Sequence, residues 1–106
     1  MQNEETKIVL NDIAALEKKF NALAANSNLV REDRALFALA VDDAAEISNL
    51  IQKNETRKAA DALKILSATF NFFAGIKDNT SIQAIYADCG KDASNLQQRL
   101  QSTAQP

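Results

Sequence analysis

The chain has 106 residues, 46% of them hydrophobic and 25% charged, which suits one domain with one core and argues against wholesale disorder. Its 12 basic and 14 acidic residues give a net charge of −2 with no basic stripe, so a nucleic-acid backbone is not the expected partner. A lone cysteine, Cys89, excludes an intrachain disulfide and fits a reducing compartment, so a cytoplasmic location is expected.

The acidic start, "MQNEETKIVL", has no apolar run and does not read as a signal peptide. Helix formers dominate, only two glycines occur and the single proline is Pro106. Apolar residues recur at helical spacing throughout, and no segment sustains a two-residue period. The class predicted is all-α.

The first helix is predicted over about 4–25, capped by Asn3, with Glu4 and Glu5 at the positive end of its dipole. Its seam is Val9, Ile13, Leu16, Phe20 and Leu23. "NSN" at 26–28 interrupts it, and Asn28 is the expected cap of a second helix over about 29–53. That helix presents Phe37, Ala40, Ala44, Ile47 and Ile51, with Leu36, Leu39 and Leu50 to one side.

A third helix over about 55–74 presents Ala59, Leu63, Leu66, Phe70 and Phe73, with Gly75 expected as its C-terminal glycine. Thr80 and Gln83 suggest a capping box opening a fourth helix over about 80–101, followed by a frayed polar tail. The fourth seam is Ile82, Tyr86, Cys89, Ala93, Leu96 and Leu100, with Tyr86 expected to reach the rim and Gly90 to permit close packing.

Short connections predict an antiparallel up-down-up-down four-helix bundle. The joint at 53–55 contains neither Gly nor Pro, yet the apolar seam changes phase there, as a turn would require. The alternative is a three-helix arrangement with one continuous helix over 29–74 in a swapped dimer.

Most catalytic chemistry is absent. Without histidine there is no Ser-His-Asp or Cys-His nucleophile, no histidine-ligated haem and no di-iron Glu-x-x-His pair. One cysteine builds no zinc or iron–sulfur site, and no glycine-rich phosphate loop occurs. Cys89 reads as a small buried hydrophobe. Asp42, Asp43 and Glu46 read as a solvated helix face and supply too few ligands for calcium. Asn54-Glu55-Thr56 and Asn79-Thr80-Ser81 match the glycosylation pattern but read as turn and capping residues. No enzyme, cofactor or metal site is expected.

One feature exceeds what a single core seam needs. Phe72 points about 160° away from Phe70 and lines up with Ile65 and Ile76, giving the third helix two apolar stripes. The uncharged run 65–76 is too short for a membrane span, which needs about 20 apolar residues. Such a stripe arises in an irregular bundle with central second and third helices, or as an external interface. The second reading makes Ile65, Phe72 and Ile76, joined by Leu36, Leu39 and Leu50, a binding face for another protein or a second copy (a homodimer). The function expected is a non-enzymatic interaction module: adaptor, escort, inhibitor or immunity-type binder. The alternative is a carrier of a small apolar ligand among Phe37, Phe70, Phe73 and Tyr86.

Overall fold

A computed structural model describes residues 4–104 of the chain. The all-α expectation holds: among these residues there are four helices, α1 (Glu4–Ala24), α2 (Arg31–Gln52), α3 (Thr56–Ile76) and α4 (Thr80–Ala104), and no strand. The cap expected at Asn3 lies outside the described residues.

The chain divides into two units after Glu55, each an antiparallel helical hairpin. In the first, Phe20 late in α1 stacks on Phe37 early in α2, with ring centroids 6.5 Å apart. In the second, Ser67 of α3 bonds the Gly90 carbonyl, whereas Phe70, one turn later, meets Tyr86, one turn earlier on α4.

Helix ends show how each hairpin is closed. Between α1 and α2, the Asn28 N–H donates to Asn26 Oδ1 at 2.9 Å, so this asparagine pair folds the loop. Asn28 is therefore not the cap of α2, as the sequence led us to expect. The N-cap is Val30, which has no side-chain acceptor, and Glu32 and Asp33 in the first turn complement the exposed N–H groups instead.

At the end of α2 the chain does what the absence of glycine obscures. Asn54 adopts φ 64°, its N–H donates to the Ile51 carbonyl at 3.0 Å, and the Glu55 N–H donates to Leu50 at 2.9 Å. These are the two bonds of a Schellman motif, with asparagine in the left-handed position usually held by glycine. Helices α2 and α3 are separate, and the continuous helix over 29–74 is excluded.

Two further expectations are corrected. Gly75 is not a terminal cap, because α3 continues to Ile76 and no described glycine has positive φ. The cap of α4 is Asn79 rather than Thr80: its Oδ1 accepts from the Ser81 and Ile82 N–H groups at 2.8 and 3.3 Å. The Gln83 amide reaches back to the Lys77 carbonyl, closing the same turn from the other side. Helix α4 also runs on to Ala104, beyond the expected fraying point.

Val9, Ile13, Leu16, Phe20, Phe37, Ala40, Ala44, Ile47 and Ile51 are buried as their spacing predicts. So are Ala59, Leu63, Leu66, Phe70 and the whole α4 seam from Ile82 to Leu100. Leu23 and Phe73 are only half-buried, and Tyr86 is fully buried rather than at the rim. Tyr86 is enclosed on α3's side by Phe70 and Phe73, with centroids 6.1 and 5.6 Å away.

The buried positions also reveal an internal repeat. Val9, Ile13, Leu16 and Phe20 recur 50 residues on as Ala59, Leu63, Leu66 and Phe70. Phe37, Ala40, Ala44, Ile47 and Ile51 recur 49 residues on as Tyr86, Cys89, Ala93, Leu96 and Leu100. The stacked pair Phe20–Phe37 thus maps onto Phe70–Tyr86. The second hairpin repeats the first with one residue fewer in its connection.

Candidate interaction face

Helix α3 buries one arc and leaves another bare. Ile65, Phe72 and Ile76 are 67%, 62% and 56% exposed, although each is large and apolar. At 100° per residue they fall within about 40° of one another, and the stripe is about 16 Å long. Phe72 sits edge-on against Phe73, with ring centroids 5.6 Å apart. Phe73 in turn stacks on Tyr86, and Lys77 Nζ lies 5.9 Å from the first ring and 5.8 Å from the second. Thr69, within the stripe, donates its hydroxyl back to the Ile65 carbonyl at 2.8 Å.

On α2, Leu39 is 64% exposed, whereas Leu36 and Leu50 are half-buried. Leu50 lies 11 residues beyond Leu39, the same separation as Ile65 and Ile76. Of the six residues expected to form one face, three are therefore together on α3 and three on one side of α2, in different hairpins. The four aromatic residues considered for a ligand cavity also divide: Phe70, Phe73 and Tyr86 cluster in the second hairpin, whereas Phe37 packs on Phe20 in the first.

Charge distinguishes the two helices, a signal that apolar spacing passes over. Helix α2 carries Glu32, Asp33, Asp42, Asp43 and Glu46 against Arg31 and Arg34. Helix α3 carries Arg57, Lys58 and Lys64 against Asp61 alone, and is the only net-basic helix of the four. Within about 60° of Leu39 every charged residue of α2 is acidic: Glu32, Asp42, Asp43 and Glu46, all exposed. Partial desolvation, then the neighbouring charge of Asp42, raises the Asp43 carboxyl above its usual 3.8.

Among the described residues no group of three or more Cys, Asp or Glu side chains converges as a metal site. Cys89 is buried on the α4 seam, where its thiol has no access to solvent. No described helix is long and apolar enough to cross a membrane. No family model, curated protein or solved structure matches the chain.

Proposed function

We propose that this protein is a non-enzymatic interaction module that binds another protein, or a second copy of itself, through the exposed apolar face of α3. A reducing, cytoplasmic setting is part of the proposal. The observation that carries it is the bare stripe Ile65/Phe72/Ile76. Exposed apolar side chains aligned on one helix suit helix-on-helix docking.

The internal repeat strengthens this reading. At the positions equivalent to Ile65, Phe72 and Ile76 the first hairpin has Ala15, Ala22 and Asn26. A hairpin of this type therefore packs without large apolar residues there, so packing within the hairpin does not account for the stripe. Binding would bury it and gain roughly 25 cal/mol for each Å² of apolar surface removed from water.

The test is Phe72→Ser. Helicity by circular dichroism should persist, with stability changed by no more than about 0.5 kcal/mol, as for most exposed positions. Self-association by light scattering, or capture of a partner, should be lost. Global unfolding would assign Phe72 to the core and remove the reading.

A further inference from the structure

We infer that α3 of a second copy covers the α3 face, the two helices lying antiparallel with Phe72 of each beside Ala68 of the other. The inference rests on the function proposed above and names the occupant of its face.

That face carries small residues as well as large ones. Ala68 and Gly75 follow Ile65 and Phe72 by three residues each, which sets them about 60° to the same side, and both are exposed. Packing within the hairpin demands neither. Gly75 lies inside α3 without positive φ, and a Cβ there would meet nothing within 4 Å. The first hairpin has Lys18 and Lys19 where the second has Ala68 and Thr69, so a hairpin of this type accepts charge at those positions. The second hairpin has small side chains there instead, beside Ile65 and Phe72, and from Ile65 to Ile76 it carries no charge on any side of the helix.

One register uses all four positions. Ile65 and Phe72 are seven residues apart, as are Ala68 and Gly75. An antiparallel pair that sets Phe72 level with the partner's Ala68 therefore also sets Ile65 level with the partner's Gly75. The two-fold axis repeats both contacts, so every layer holds one large side chain beside one small one, as knobs-into-holes packing between two copies of one face requires.

Charge sets the direction. A parallel pair would bring Arg57, Lys58 and Lys64 of the two copies side by side. The antiparallel pair sends them to opposite ends, with Lys64 level with the partner's Ile76, at the negative pole of that helix. Lys77 is engaged elsewhere, its Nζ over the Phe73 and Tyr86 rings. The three large side chains offer roughly 400 Å² of surface per copy. With its rims the pair buries on the order of 1,000 Å², the low end for a specific interface, which suits a weak, exchanging dimer.

A size exchange between full-length chains tests this. Ala68→Phe adds apolar surface yet sets ring against ring, and Phe72→Ala leaves small against small. Each variant alone, helical by circular dichroism, should self-associate about tenfold more weakly or worse by sedimentation equilibrium. An equimolar mixture should recover wild-type association, because each layer again holds one ring and one methyl. If Ala68→Phe disturbs helicity, Gly75→Ile with Ile65→Ala makes the same exchange one heptad away. Nitroxide labels on Arg57→Cys/Cys89→Ala chains should lie about 40 Å apart in the antiparallel pair and under about 20 Å in a parallel one. The inference falls if Ala68→Phe associates as wild type, if the folded mixture fails to recover, if the labels are close, or if the wild-type chain is monomeric at millimolar concentration. Loss of association in Phe72→Ser but not in Ala68→Phe would keep the α3 face as a binding surface and reject this pairing. Wild-type association by Phe72→Ser would reject the face itself.

Discussion

At the scale of single residues, Asn54 and Asp43 each answer to their surroundings. Asn54 ends α2 at φ 64°, a conformation that costs an ordinary L-residue roughly 1–2 kcal/mol and asparagine less. Asn54→Ala should therefore destabilise the chain by about 1 kcal/mol in urea unfolding, whereas Asn54→Gly should be neutral or slightly stabilising. The Asp43 carboxyl, raised by partial burial and by Asp42, holds a proton more readily in the folded chain than in the unfolded one. Its ionisation opposes folding above the raised folded value, and that penalty fades as pH falls through it, vanishing below the unfolded 3.8. Asp43→Asn should accordingly melt above wild type at pH 7, with the gap closing below about pH 4. Equal gaps at both pH values would show that the carboxyl charge is not the cause.

Between elements, the contact of α3 with α4 turns on Gly90. A Cβ there would clash with Asn71 Oδ1 and lie 3.4 Å from the Ser67 backbone oxygen, while the Ser67 hydroxyl donates to the Gly90 carbonyl at 2.8 Å. Asn71 is exposed and can swing aside, so Gly90→Ala should be nearly neutral, the displacement offset by a gain of about 1 kcal/mol in helix propensity. Gly90→Leu has no such escape from the α3 backbone and should cost about 1–3 kcal/mol, as overpacking does. Ser67→Ala should cost about 1 kcal/mol through the lost buried hydrogen bond. Thermal melts of the three variants order them. The close approach was legible in the sequence, because Gly90 sits inside an otherwise unbroken helical seam. Its partner was not, because a serine on α3 announces a hydroxyl and no target.

For the molecule as a whole, the contrast between Phe70 and Phe72 separates stability from recognition. Phe70→Ala removes a buried ring packed on Tyr86 and should cost about 3–5 kcal/mol, a large part of the stability of a domain this size. Phe72→Ala should cost well under 1 kcal/mol in the same denaturation experiment, because its ring is mostly in solvent. Comparable losses would place Phe72 in the core. The repeat belongs at this scale too. Its offset is written in the sequence as Glu5-Thr6-Lys7 against Glu55-Thr56-Arg57 and Phe20-Asn21 against Phe70-Asn71. So few shared residues become a pattern only when burial marks which positions must agree.

The sequence by itself determined the four helices and nearly every residue of their seams, because helical spacing of apolar side chains is a local, periodic property. It also determined that Phe72 and Phe70 face different ways, which follows from 100° per residue alone. Helix ends required the folded backbone, since several asparagines compete at each junction and only geometry selects Asn54 and Asn79 as the ones that close it. Exposure required it as well. Spacing distinguishes two stripes on α3 but cannot say which is covered, because coverage depends on what packs against the helix from elsewhere in the chain. The tertiary structure decided that Phe70 is buried and Phe72 is left to solvent.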